Sequence, residues 1–126
     1  MMKKSLTPFG ETEMEVLHHV WELEEATVRQ VRERILETRE VAYTTIMTVM
    51  KNLAEKDYLK YRKEGVTYVY SPARKPDSVR SSLIGDLMKK VFKGSPRELV
   101  QALVNSKDLS KNDLDEIKQM IDDMED

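Results

Sequence analysis

No cysteine occurs in this sequence. Disulfides and thiolate metal sites are therefore excluded, and the absence fits a reducing, cytoplasmic setting. Nor does any apolar run approach the roughly 18 residues of a membrane span, so no membrane association is expected. The start "MMKKSLTPFG" carries lysines but no apolar stretch behind them, so no signal peptide is expected. His18 and His19 are adjacent, and adjacent side chains point about 100° apart on a helix, too far apart to chelate one metal together. The chain has no nucleophile–base pair, no phosphate loop and no metal-ligand spacing, so neither catalysis nor a metal or cofactor is expected. Internal repeats and low-complexity segments are missing too.

A positive excess is also lacking: the net charge is -2. That looks wrong for a nucleic-acid binder, but the distribution matters more than the sum. Residues 41–75 hold 7 Lys+Arg against 3 Asp+Glu, a local excess of +4. What is present is a soluble, helix-rich balance, with 35% charged and 40% hydrophobic residues over 126 positions. One or two small domains fit that length.

Apolar residues recur at helical spacing in the first stretch, with Met14, Leu17, Val20 and Trp21 on one stripe and an end near Leu23. Thr7 before Pro8 is one N-cap for this helix, and Gly10 argues for a later start. Thr27 and Gln30 form a capping-box pattern, so a second helix starts near Val28 and buries Val28, Val31 and Ile35. Ala26–Thr27 is a candidate short strand. A brief connection leads to a third helix from Tyr43 to Lys56, and two helices joined this tightly read as helix-turn-helix. The period then changes from 3.6 to 2 in "YLKYRKEGVTYVYS", an expected β-hairpin with Glu64-Gly65 between its arms. Three helices followed by a hairpin with a basic arm is the winged-helix order.

The third helix opens with Thr44, Thr45 and Thr48, although threonine is a mediocre helix former. With Ile46 at 0° and about 100° per residue, Val49, Met50 and Leu53 fall on one core face. Thr44, Thr48 and Lys51 point straight out, with Thr45 on one flank and Tyr43 and Met47 on the other. A helix entering a DNA major groove needs short, hydroxylated side chains at its N-terminus. Thr44 or Thr45 could instead only cap the helix; Thr48, one turn in, is not explained by capping. On the hairpin, Lys60, Arg62 and Lys63 are expected to reach the phosphate backbone, with the minor groove as a second destination for Arg62.

"SPARKPD" punctuates the chain and is the expected boundary between domains 1–75 and 76–126. Beyond it lie three short amphipathic helices. The first offers Leu83, Ile84, Leu87, Met88, Val91 and Phe92, with Gly94 at its end. The second, capped by "SPRE", offers Leu99 and Leu103. The last, opened by "SKND", offers Leu114, Ile117, Ile121 and Met124. About 50 residues bury too little surface to stand alone comfortably. A second copy of the chain is the simplest cover for these residues, and folding back on the first domain is the alternative.

The stretches "TEMEVLHHVWE", "VAYTTIMTVMKNLAEKDYL", "GVTYVYSP" and "LIGDLMKKVFKGSPRELVQALV" resemble the penicillinase-repressor family of winged-helix regulators over nearly the whole chain. That resemblance implies a homodimeric transcriptional repressor on an inverted-repeat double-stranded DNA operator, with interlocked C-terminal helices. Copper-sensing members carry a C-terminal cysteine motif, which this chain lacks. Members that respond to β-lactams are cut by a regulatory protease at an Asn-Phe bond, and the aligned pair here is Ala102-Leu103. The expected fold is mainly α with a small β-hairpin: a winged helix-turn-helix domain plus a three-helix dimerisation region. Winged helices also serve as protein–protein adaptors, so the salt dependence of binding is the discriminator.

Overall fold

A computed structural model describes residues 9–124. Its elements are α1 (Glu11–Leu23), α2 (Val28–Leu36), α3 (Tyr43–Glu55), β1 (Leu59–Glu64), β2 (Thr67–Pro72), α4 (Pro76–Val91), α5 (Pro96–Asn105) and α6 (Lys111–Met124). The chain divides into two units between Leu83 and Ile84.

Local chemistry sets each boundary of the first unit. Gly10 is the N-cap of α1, and its N–H donates to the Glu13 carboxylate at 3.1 Å. The Thr7 alternative lies outside the described residues. At α2, the Thr27 hydroxyl accepts from the Gln30 N–H at 3.2 Å while the Gln30 amide oxygen accepts from the Thr27 N–H at 2.9 Å. This is the reciprocal capping box anticipated from the sequence. Ala26, just before it, exchanges two 2.8 Å backbone hydrogen bonds with Tyr70 and so pins β2 to the α1–α2 link. Helix α3 closes with a Schellman turn. The Tyr58 N–H reaches the Leu53 carbonyl at 2.9 Å, the Asp57 N–H reaches Ala54, and Asp57 takes φ 66°.

β1 and β2 pair antiparallel from Leu59↔Pro72 to Glu64↔Thr67. The two-residue turn is therefore Gly65-Val66, one position later than the Glu64-Gly65 expected. Gly65 has φ +62°, which a type II′ turn asks of its first central residue. Val66 stands at the tip, 93% exposed.

One core holds this unit together: Leu17 and Val20 of α1, Val31 and Ile35 of α2, Ile46, Met50 and Leu53 of α3, then Leu59, Tyr70 and Val79. Val16 of α1 is buried as well, outside the stripe assigned to that helix. Val79 is only 3% exposed and Leu83 packs on the same core. The first turns of α4 thus belong to the first unit, and the division lies eight residues beyond the proline-rich joint at 75/76. Together, the three helices and the hairpin make a winged helix.

The second unit comprises the remainder of α4 with α5 and α6. Ser95 caps α5 by accepting from the Glu98 N–H at 3.2 Å. Ser110 and Asp113 form a second reciprocal box, each bond 3.0 Å long. Gly94, at φ +81°, turns the chain between α4 and α5. No residue from 84 to 124 is buried.

The two faces of α3 should differ sharply in stability. Ile46→Ala is expected to cost about 2–5 kcal/mol by urea denaturation, while Thr48→Ala should stay within about 0.5 kcal/mol.

Candidate nucleic-acid interface

Ile46, Met50 and Leu53 are fully buried, so the opposite face of α3 points outward. Tyr43, Thr44, Thr45, Met47, Thr48 and Lys51 are all exposed. The N-cap of α3 is Ala42, and no side chain caps the helix. Thr44 and Thr45 therefore do not serve as its caps, and their hydroxyls are left for other partners. The N-terminal N–H groups of α3 carry the positive end of its dipole.

Hairpin register decides which wing residues meet this face. Directly opposed residues share a face, so Tyr61 and Lys63 lie with Tyr70 and Tyr68, while Lys60 and Arg62 lie with Ser71 and Val69 on the other side. An open cleft of about 950 Å³ runs between Tyr43, Met47, Thr48 and Lys51 on α3 and Tyr61, Tyr68 and Tyr70 on the wing. Tyr61 links the wing rings: it meets Tyr68 edge-on at 5.2 Å and tilts against Tyr70 at 5.6 Å. The Lys63 ammonium lies 6.0 Å from the Tyr68 ring centre. Thr27, Val28 and Arg29, at the start of α2, close the cleft on its third side. Thr44 and Thr45 stand on α3 outside the cleft lining.

The structure therefore brings Tyr43, Met47, Thr48 and Lys51 together with the aromatic side of the wing, and separates Lys60 from Lys63. Arg62 is paired within the chain. Its guanidinium donates to both Glu25 carboxylate oxygens, at 2.8 and 3.2 Å, and to Glu64 at 2.9 Å. It is an ion-paired group on the face of the hairpin away from the cleft. The sequence reading missed Glu25, Arg29 and the cleft-lining role of Tyr61 and Tyr68. Alternation along β2 marks the tyrosines as one face, but which face meets α3 depends on the tie between Ala26 and Tyr70. Among the described residues no carboxylate pairs with Lys51, Lys60 or Lys63, whereas Arg29, Arg34, Arg39, Lys56 and Arg62 are each paired with a glutamate.

A model of the penicillinase repressor family matches residues 9–123. The chain belongs to the penicillinase repressor family. Among its relatives, the "Transcriptional regulator BlaI" of Mycobacterium tuberculosis (strain ATCC 25618 / H37Rv) is 33% identical, over 74% of this chain and 68% of that protein. The "Penicillinase repressor" of Staphylococcus aureus is 22% identical, over 89% of each chain. A solution structure of the DNA-binding domain of the repressor BlaI superposes with a TM-score of 0.51 at 26% identity, covering 59% of this chain and 90% of that one. A likeness of fold alone links this penicillinase repressor family member to an Escherichia coli MarR mutant complexed with operator DNA, at TM-score 0.53 and 9% identity, over 93% of this chain and 76% of that one.

Tyr70 marks the floor of the cleft. Burial pushes its phenol above the usual 10.0, and the neighbouring Tyr61, Tyr68 and Tyr43 hydroxyls add to the shift. The folded state therefore favours the neutral phenol. Its contribution is complete below the ordinary tyrosine value and is lost as pH rises through the higher folded value. Alkaline ultraviolet titration is expected to show a tyrosinate phase above the ordinary range, and Tyr70→Phe should remove it and flatten the alkaline loss of stability.

Proposed function

We propose that this chain is a transcriptional repressor that grips an inverted-repeat operator as a homodimer, with α3 of each copy in a major groove. Exposure of the threonine-rich face of α3 beside an aromatic wing, with Lys51 and Lys63 unpaired, is the observation that carries this function. The relatives support it: one is a transcriptional regulator, another a penicillinase repressor, and the solved domain at 26% identity is the DNA-binding domain of a repressor.

A major groove about 12 Å wide admits one helix. Tyr43, Thr44, Met47 and Thr48 face the base edges, and Thr45 flanks them. Threonine hydroxyls bond base edges or phosphates, while threonine methyls and the Met47 thioether meet thymine methyls. Lys51 and Lys63 supply phosphate contacts that set register without reading sequence, whereas Lys60 stands with Arg62 on the other face of the hairpin. Half-sites lie one helical turn or a little more apart, roughly 34–36 Å.

Residues 76–126 join the two copies. Ile84, Val91, Leu103, Ile121 and Met124 are exposed, and Leu87, Met88, Phe92, Leu99, Leu114 and Ile117 are only partly covered. An apolar surface of this kind, without a buried centre, requires another surface against it. Leu83 packs on the first unit and marks the near edge of the joint. Each copy raises the effective concentration of the other at its half-site. Cleavage by a regulatory protease within 76–126 would lower affinity by removing that linkage, and Ala102-Leu103 is exposed on α5. The protein acts in the cytoplasm, and none of its described helices is long and apolar enough to cross a membrane.

Salt dependence tests DNA binding directly. Log K should fall against log[salt] with a slope of about -5 to -9, as expected for roughly 6–10 phosphate contacts. A flat response would point to a protein partner instead. Lys63→Ala should weaken all duplexes alike and reduce the slope by about one, whereas Thr48→Ala should narrow the gap between operator and random DNA. Light scattering tests the dimer: a chain ending at Leu83, which keeps Val79 in its core, should be a monomer, and a persisting dimer would refute this interface.

A further inference from the structure

Arg62 and Glu25 form a two-pronged charged pair that ties the wing to the α1–α2 link. The Arg62 fork meets both oxygens of Glu25, and Glu64 takes a further contact. Resting on the function proposed above, we infer that Glu25 and Arg62 are a wing-positioning pair: Arg62 serves DNA binding by aiming the hairpin, not by touching a phosphate.

Three observations point this way. First, the geometry is a tie between elements. Glu25 sits in the α1–α2 link, next to Ala26, whose backbone holds Tyr70 at 2.8 Å. Arg62 lies opposite Val69, one register step nearer the tip than the Tyr61↔Tyr70 pair. The backbone bridge fixes the base of the wing, and the ion pair restrains its outer part. A planar guanidinium on a carboxylate constrains angle as well as distance, which a lysine cannot do. Second, the charge is wrong for a phosphate contact. Two carboxylates surround one cation, so the group carries a net negative charge where the backbone of DNA would have to approach. Third, the face is wrong. Lys63 and the tyrosines that line the cleft are on the opposite side of the hairpin. Hydrogen bonding to Arg62 also holds the Glu25 carboxyl below its usual value, so the pair stays ionised.

The pair is solvent-exposed, with both side chains about half accessible. Exposed pairs contribute little to global stability. Its removal should therefore appear in wing order and in binding, not in unfolding.

Two substitutions and their exchange decide the matter in the full chain, with a defined mixed-sequence DNA duplex as the probe and fluorescence anisotropy across several salt concentrations as the readout. Glu25→Gln and Arg62→Gln should each weaken binding by roughly 2- to 30-fold without changing the salt slope. Combining Glu25→Arg with Arg62→Glu should recover most of that loss. Amide hydrogen exchange should quicken at residues 65–69 in both single variants and slow again in the exchange variant. Tighter binding by Glu25→Gln, as expected if it released Arg62 to a phosphate, would overturn the proposal. So would a slope lowered by about one in Arg62→Gln, or unchanged exchange in the wing. If the unaltered chain binds no duplex, the repressor function fails and this inference fails with it. Binding that persists while the pair behaves as a phosphate contact overturns this inference alone.

Discussion

Burial of Ile46, Met50 and Leu53 fixes the rotation of α3 about its own axis, and the rest of the site depends on that rotation. Each such side chain gains about 1.5–3 kcal/mol by leaving water. An exposed threonine gains almost nothing from either orientation. The core residues therefore choose the rotation, and Thr44, Thr48 and Lys51 are carried to the outside. Because Ala42 holds the cap position without a side-chain bond, the threonine hydroxyls are not spent on the helix itself.

Charge is sorted in the same way. The chain as a whole is slightly acidic, yet screening limits exposed charges to a range of about 8 Å at physiological salt, so what a partner meets is the local set. Five cations of the first unit lie against glutamates, while Lys51, Lys60 and Lys63 do not. A surface can thus be made locally positive by pairing charges elsewhere, without raising the total. Arg62 belongs to the paired group. Its role follows from its two carboxylate partners, not from its position beside Lys63 in sequence.

The second unit illustrates the opposite balance. Its caps are well formed: Ser95 on Glu98, and Ser110 with Asp113. Caps stabilise single helices by about 1 kcal/mol each. They cannot replace a core, and none of residues 84–124 is buried. Local structure is therefore specified here without a buried centre.

Periodicity and capping chemistry were sufficient to read three helices, a hairpin and three further helices from the residues, because both act over three or four positions. The Thr27–Gln30 box, the Ser95 and Ser110 caps and the outward face of α3 were all legible for that reason. The turn was misplaced by one residue, since glycine marks the need for positive φ but not the register around it. Val79 enters the core of the first unit, and an apolar residue after a proline does not by itself reveal which core it joins. Likewise the sequence could show Arg62 as basic and on a strand, but not that Glu25, 37 positions away, would hold it. By itself, the sequence determined the elements, their caps and the two faces of α3, all governed by neighbours along the chain. Only the tertiary structure decided which side of the wing meets α3 and which cations are neutralised. Those outcomes depend on distances between segments that no local period encodes.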